Sequence, residues 1–172
     1  MQLLITAVGA DRPGLVHELS GFLHECSANI ADSRMINLSG QFAMILLVEL
    51  AEEAAEDLGR NLSTMGDRIG MSLSAAPLTA ATEGARGIPF RMRTYAMDQP
   101  GIVHRITHLL HERRINVEEL ATRLEPGSVS GTPLFSMELR MTVPPVVQMG
   151  ELRRDLERLC DALNCDLDLE PA

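Results

Sequence analysis

The chain has 172 residues and a formal net charge of −9, and all fifteen of its basic residues are arginine. This length accommodates one domain or two small ones. The acidic balance argues against direct binding of nucleic acid, which needs a basic surface. The absence of lysine excludes Schiff-base and P-loop chemistry, because both depend on a lysine amine.

Three cysteines, Cys26, Cys160 and Cys165, form neither a CxxC motif nor an even-numbered disulfide framework. We interpret them as reduced thiols in the core. The N-terminus lacks the basic-then-apolar pattern of a signal peptide. No apolar run reaches the length of about 18 residues that a membrane-spanning helix needs. The sequence therefore predicts a cytoplasmic protein that binds neither nucleic acid nor membrane.

Hydrophobic patterning predicts six elements in the first half of the chain, in the order strand, helix, strand, strand, helix, strand. The first helix carries an apolar stripe from Leu15 to Leu23, and Ser39-Gly40 marks a turn between the second and third strands. The predicted strands are Gln2 to Val8, Ser27 to Ile36, Phe42 to Leu50 and Ile69 to Ala76, and the second helix is Ala51 to Met65.

The second half of the chain repeats the first. Residues 11–30 and 98–117 are identical at nine of twenty positions without a gap. The match continues once a longer loop in the second copy, around Glu125 to Gly131, is allowed for. The predicted elements are a strand Phe90 to Met97, a helical stripe Ile102 to Leu110, strands from Asn116 and from Leu134 to Val143, a helix from Pro144 through Leu163, and a strand Asp166 to Glu170. The chain is therefore a duplicated domain.

Two copies of a βαββαβ unit predict an α+β protein with two tandem ferredoxin-like domains, each an antiparallel sheet with helices on one face. We expect the domains to span residues 1–77 and 88–172, with a linker at 78–87. The first and third strands of each domain should be central, because their apolar runs are nearly continuous. Many aliphatic residues would remain on the sheet faces, which predicts pairing between repeats or between chains in a homo-oligomer such as a dimer.

One stretch occurs in both repeats, as Asp11-Arg12-Pro13-Gly14-Leu15-Val16-His17 and as Asp98-Gln99-Pro100-Gly101-Ile102-Val103-His104. Each copy follows a strand and opens a helix. At a helix entry an Asp can cap free amides, a Pro is tolerated, and a Gly lets another group approach the backbone. Such a helix N-terminus attracts an anion, for example the carboxylate of a small ligand. A capped connection without ligand explains a single copy more simply.

Asn29 and Asn116 lie at the same distance after each turn, where the second strand of each domain begins. An Asn in this position is commonly only a turn residue. Its recurrence gives each repeat a second polar group that could face the same spot as the turn. The combination suits an amino acid, whose carboxylate would bind helix amides and whose ammonium would bind side-chain or backbone oxygens.

Catalytic and metal sites have weak support in the sequence. His104, His108 and His111 share one side of a helix at spacings that could hold a metal, and His17 and His24 match two of them. They lie opposite the apolar stripe, which favours a solvated helix face, and no HExxH motif is present. The serines and cysteines show no nucleophile-elbow motif. We therefore predict no catalytic residue, metal or cofactor.

The paired Asp-x-Pro-Gly-(Leu/Ile)-Val turns, each with its following Asn-(Ile/Val), resemble those of ACT domains. These are small regulatory modules that usually bind amino acids at interfaces between paired copies. The segments Ala28 to Arg34, Gln41 to Met44 and Asn116 to Arg123, in a chain of two such copies, are similar to the glycine cleavage system transcriptional repressor family. The resemblance covers nearly the full length.

The resemblance implies a non-enzymatic regulator that senses a small amino acid, with glycine the first candidate, and contacts a DNA-bound transcriptional activator. The amino-acid-binding residues that it implies are Asp11, Arg12, Pro13, Gly14, Leu15 and Asn29, with Asp98, Gln99, Pro100, Gly101, Ile102 and Asn116. Because Gln99 stands in the place of Arg12, the two sites need not bind the same ligand. Two other hypotheses stay open: a structural interaction module without ligand, and a metal-dependent enzyme using the helix of His104.

Overall fold

The computed structural model of the chain describes residues 1–78, 87–126 and 133–172. The chain divides into two compact units, Met1–Ala81 and Thr82–Ala172, which we call the first and the second domain. Most of the predicted linker at 78–87, and most of the predicted longer loop at 125–131, fall outside the described residues. Both therefore stay predictions.

Each domain has the order βαββαβ. The first domain consists of β1 (Gln2–Ala10), α1 (Leu15–Glu25), β2 (Asn29–Leu38), β3 (Gln41–Glu49), α2 (Glu52–Ile69) and β4 (Met71–Pro77). The second domain consists of β5 (Ile88–Met97), α3 (Ile102–Glu112), β6 (Asn116–Pro126), β7 (Pro133–Val143), α4 (Met149–Ala162) and β8 (Cys165–Pro171). The predicted fold class, two tandem ferredoxin-like units, is confirmed.

Both sheets are antiparallel, with strand orders β2-β3-β1-β4 and β6-β7-β5-β8. The first and third strands of each domain are central, as their apolar runs predict. Each second strand also carries a bulge at an equivalent place, between Ile30 and Asp32 in β2 and between Val117 and Glu119 in β6. Because a bulge is a specific backbone feature, its recurrence supports the duplication.

One face of each sheet packs against the two helices of the same domain. In α1 the buried residues recur at helical spacing, namely Leu15, Leu19, Phe22 and Leu23, and α3 buries Ile102, Ile106 and Leu110 in the same way. Each fully buried side chain of this size contributes about 1.5–3 kcal/mol of hydrophobic stabilisation. The opposite face of each sheet is left without a helix.

Two helices differ from their predicted bounds. Helix α4 begins at Met149 and not at Pro144, because residues 144–147 form a turn in which the N–H of Val147 donates to the carbonyl of Pro144 at 3.0 Å. Helix α2 continues past Met65 to Ile69 and ends at Gly70, which has a φ of +71°. Within the described ranges, no helix combines the length and the apolar character needed to cross a membrane.

Candidate functional site

The turn before the first helix of each domain depends on a glycine. Gly14 is the N-cap of α1 with a φ of +97°, and Gly101 is the N-cap of α3 with a φ of +96°. A side chain rarely adopts this backbone conformation. An added Cβ would have open space at Gly101 and an ordinary contact with Glu18 at Gly14. Backbone conformation alone is therefore sufficient to require glycine at both positions, and the close approach of a ligand to this backbone stays a prediction.

The prediction that Asp11 caps the first helix is wrong, because Gly14 occupies the N-cap position and no side chain caps α1 or α3. The Asp11 carboxylate instead accepts a hydrogen bond of 2.5 Å from Nδ2 of Asn37. The backbone N–H of Asp11 donates to the carbonyl of Gly40 at 2.9 Å. Asp11 thus joins the turn to the β2–β3 hairpin. The first-turn amides of α1 are left without a side-chain cap, which suits an anion.

The Arg12 guanidinium is held within its own domain. Its Nη1 and Nη2 atoms pair with the Glu18 carboxylate at 2.6 and 2.8 Å, and Nη2 also donates to the carbonyl of Ile69 at 3.2 Å. The hydrogen bond between the two side chains lowers the pKa of Glu18 and raises that of Arg12. Arg12 therefore positions the turn, and its charge is balanced before any ligand is considered.

Gln99 makes the equivalent contact in the second domain. Its Nε2 donates to the carbonyl of Leu163, which directly follows α4, as Arg12 donates to the last residue of α2. The position of Glu18 is occupied by Arg105 in the second domain, and the neutral Gln99 needs no acidic partner. The difference between Arg12 and Gln99 is thus explained by packing within each domain.

Asn29 and Asn116 do not lie near the turns, so the expectation that they face the same spot is wrong. Asn29 pairs with Glu49, which pairs with Gln2 at the start of β1, whereas the turn follows the end of that strand. A strand of nine residues separates the two places by about 26 Å at about 3.3 Å per residue. Asn116 has the same location, since it pairs with Thr142 near the end of β7.

A cleft of about 340 Å³ lies beside the first turn. It is lined by Asp11, Arg12, Gly14, Leu15, Val16, His17, Met35, Asn37 and Phe42. Met35 and Asn37 are functional candidates that the sequence reasoning missed. The sequence signals for them were their alternation along β2 and the Ser39-Gly40 turn that ends the strand. Placing them beside the turn before α1 also required the strand order, in which β3 lies between β2 and β1.

The other predicted residues of the turns have simpler roles. Leu15 and Ile102 are buried in the cores of their domains, although Leu15 also contributes to the cleft wall. Pro13 and Pro100 are exposed, and the carbonyl of Pro13 accepts a weak hydrogen bond of 3.4 Å from Arg12.

The second domain has the same turn but lacks a counterpart of the hydrogen bond between Asn37 and Asp11. The N–H of Asp98 donates to the carbonyl of Pro133 at 3.2 Å, as the N–H of Asp11 donates to the hairpin of the first domain. The sheet register, however, places Leu124 where the first domain has Asn37, since each pairs with the first phenylalanine of the following strand. The Asp98 carboxylate therefore lacks the amide partner that orients Asp11.

The histidine-rich helix face is solvated. All five histidines are exposed, the rings of His104 and His108 stack at 6.0 Å, and His108 lies 3.4 Å from the carboxylate of Glu112. In the part of the chain that the structure describes, no three His, Cys, Asp or Glu side chains gather where they could hold a metal.

Burial raises the pKa of the Cys160 thiol to about 11, so that it carries little thiolate at neutral pH.

Residues 1–76 match a family model described as ACT domain. A UPF0237 protein of Methanococcus maripaludis is 35% identical over 74 residues, which cover 42% of this chain and 82% of that protein. The chain belongs to the ACT domain family. A crystal structure of an unknown protein from Galdieria sulphuraria has a TM-score of 0.82 and 29% identity, with coverage of 99% of this chain and 98% of that chain.

Similarity across both ACT domains extends to one named regulator. The glycine cleavage system transcriptional repressor of Escherichia coli is 25% identical over 162 residues, which cover 94% of this chain and 85% of that protein. The chain is therefore a tandem ACT protein that resembles this repressor along nearly its whole length.

Proposed function

We propose that this tandem ACT protein is a non-enzymatic regulator that senses a small amino acid, with glycine the first candidate, through the cleft of its first domain. One observation carries the proposal: the uncapped N-terminus of α1 and the oriented carboxylate of Asp11 border the same cleft. The helix amides would bind the ligand carboxylate, and Asp11 would bind its ammonium group. The name of the Escherichia coli relative supports the choice of glycine.

The two domains would contribute unequally. The second turn, Asp98, Gln99, Pro100, Gly101 and Ile102, offers the same helix N-terminus, but Leu124 replaces the amide that orients the carboxylate. We expect it to bind an amino acid more weakly than the first cleft. Asn29 and Asn116 belong to neither cleft and would contribute only if another chain presented them.

Ligand binding would be coupled to the β2–β3 hairpin. Asp11 touches both Asn37 and Gly40 of this hairpin, so a ligand that engages Asp11 acts on the hairpin as well as on the turn. A ligand shifts an equilibrium only by its differential affinity for the two states. We propose that the state it favours has altered affinity for a protein partner, namely a DNA-bound transcriptional activator. The acidic chain favours protein contact over contact with DNA.

Thermal unfolding in the presence of an amino-acid panel tests the ligand. A ligand at one hundred times its Kd stabilises the folded state by about 2.7 kcal/mol, which raises Tm measurably. We expect the shift to be much smaller in Asp11→Asn, where only the weaker second site remains, and to persist in Asp98→Asn, the matched change in the second domain. A parent protein whose Tm responds to no amino acid would contradict the proposal.

The second candidate function is a ligand-free interaction module. It is favoured by the contacts of Arg12 and Gln99, whose side chains donate to the carbonyls of Ile69 and Leu163. Because both side chains are engaged within their own domains, the turns are complete without a ligand. Capture of the activator on immobilised protein, with and without glycine, separates the two functions. An amount of captured activator that is the same in both conditions supports the module.

A further inference from the structure

The faces of the two sheets that carry no helix differ in character, and we call each of them the open face of its domain. On the first open face four large apolar side chains, Val8, Ile36, Leu38 and Ile45, are between 49% and 67% exposed. They come from three neighbouring strands, and cross-strand pairing places Arg34 opposite Ile45 and Ile36 opposite Ala43. The first domain therefore presents a largely apolar surface to solvent, interrupted beside Ile45 by Arg34 and Thr6.

The second open face carries charges at three of the four equivalent positions, and Tyr95 stands in the place of Val8. In β7, Glu138 takes the position of Ile45 and Arg140 that of Leu47. In β6, Arg123 takes the position of Ile36 and Glu125 that of Leu38. Two of these charges, Glu138 and Arg140, form ion pairs with their neighbours. Glu138 lies 3.3 Å from Arg91 and 3.7 Å from Arg93, and Arg140 lies 3.3 Å from Glu119.

The two domains share one fold but have different open faces, so the fold itself does not explain the apolar residues of the first. The same scaffold tolerates a charged open face in the second domain, so the fold does not require an apolar one in the first. An exposed apolar surface of this kind promotes non-specific association unless something covers it. Its persistence in the first domain therefore indicates a covered surface.

We propose that the open face of the first domain binds the same face of a second copy of this chain, in a two-fold symmetric dimer. Arg34 and Asp32 on this face form an ion pair at 2.8 Å within their own strand, so these two charges cancel, and Glu49, which shares the face, lies at its end beside Gln2. A charged partner would have to give up its hydration for apolar contacts, which is costly. A second copy offers apolar side chains in a matching arrangement, as an isologous interface requires.

The size of the face agrees with a dimer of moderate strength. Four strands about 4.8 Å apart and about seven residues long cover roughly 450 Å² as a flat surface, before the relief of the side chains is added. Two such faces would together bury on the order of 1,000 Å², which is the lower end of the range for specific interfaces. The dimer should therefore dissociate on dilution at accessible protein concentrations.

Sedimentation equilibrium without any amino acid tests the interface independently of the proposed ligand. We expect the parent to approach twice its protomer mass of 18.8 kDa and to dissociate on dilution. Ile45→Glu and Ile36→Arg, which copy Glu138 and Arg123, should each weaken dimerisation at least tenfold. Val146→Glu, a change at an exposed apolar residue of the second domain, is the control and should leave it unchanged.

Two results would overturn the inference: a parent that is monomeric throughout the concentration range, or folded Ile45→Glu and Ile36→Arg variants that dimerise like the parent. A measurement on the unaltered protein protects the test against misfolded variants. In methyl NMR with a soluble paramagnetic probe, the Ile36 and Ile45 methyl groups should be shielded at high protein concentration and the Val146 methyl groups should not. Equal broadening of all three would also overturn it.

Discussion

Arg12 and Gln99 occupy equivalent positions in the two domains, and both donate a side-chain N–H to the backbone carbonyl at the end of the second helix of their domain. The acceptors are the carbonyls of Ile69 and Leu163. From the sequence, the replacement of Arg12 by Gln99 suggests that the second site has lost a charged contact to the ligand. In the structure it is one contact, made by a charged residue with an acidic partner in the first domain and by a neutral residue in the second.

Substitution of Gln99 tests this contact. Gln99→Ala should lower the free energy of unfolding by about 1 kcal/mol, because it removes a hydrogen bond to a carbonyl that lies next to the core. Urea denaturation measures the loss. Gln148→Ala, at an exposed N-cap whose side chain makes no capping bond, is the matched control and should leave the midpoint unchanged. Equal effects of the two substitutions would remove the proposed role of Gln99.

The ion pair between Arg12 and Glu18 should make stability depend on pH in the acidic range. The pKa of Glu18 is lowered on folding, chiefly by its hydrogen bond from Arg12, so its contribution is present above the ordinary pKa of 4.5 and is lost as pH falls through the lowered value. Glu18→Gln should therefore be less stable than the parent at pH 7, and the difference should shrink below pH 4.5.

Thermal unfolding across this pH range measures that difference. Glu25→Gln, at the other end of α1, controls for the change in net charge. A stability difference between Glu18→Gln and the parent that does not change with pH would contradict the assigned ion pair.

The turn glycine and a helix glycine should respond in opposite directions to the same change. Gly14→Ala should destabilise the protein by about 1–3 kcal/mol, because alanine is strained at a φ of +97°. Gly21→Ala should stabilise it by about 0.5–1 kcal/mol, because Gly21 lies within α1 and has open space for a Cβ. Chemical denaturation of the two variants provides the measurement, and a stabilising Gly14→Ala would show that the turn does not need this conformation.

The three thiols should differ in reactivity in the folded protein. Cys160 and Cys165 are buried, whereas Cys26 is partly exposed, and burial raises the pKa of Cys160 to about 11. A disulfide reagent at pH 8 should therefore label Cys26 first and Cys160 only as the protein unfolds. Mass spectrometry of the labelled peptides gives the order. Early labelling of Cys160 would contradict its burial.

Much of the fold could be predicted because the signals were local and occurred twice. The apolar runs of β1 and β3 indicate central strands, and the stripe from Leu15 to Leu23 indicates the helix that packs on them. The start of α4 was misplaced because two consecutive prolines are compatible with a turn as well as with a helix entry. The turn prevails, with the N–H of Val147 donating to the carbonyl of Pro144, and the helix begins beyond it.

The site was less predictable because it depends on which strands are neighbours. The equal spacing of Asn29 and Asn116 from their turns along the chain predicts proximity, yet antiparallel pairing carries Asn29 to the opposite end of the sheet. Asn37 reaches Asp11 only because the β2–β3 hairpin folds back beside β1. The aliphatic residues left on the sheet faces were predictable, but the difference between the two open faces was not, since the register decides which residues of each strand share the face without helices.

Titration calorimetry with glycine, alanine and serine tests the central claim most directly, using the parent, Asn37→Leu and Asp98→Asn. Asn37→Leu gives the first domain the residue that the second domain has at that position. The account predicts that the parent and Asp98→Asn bind at least one of these amino acids with similar affinity, and that Asn37→Leu binds it at least tenfold more weakly. The absence of binding heat for all three amino acids, or equal affinity in Asn37→Leu and the parent, would contradict it.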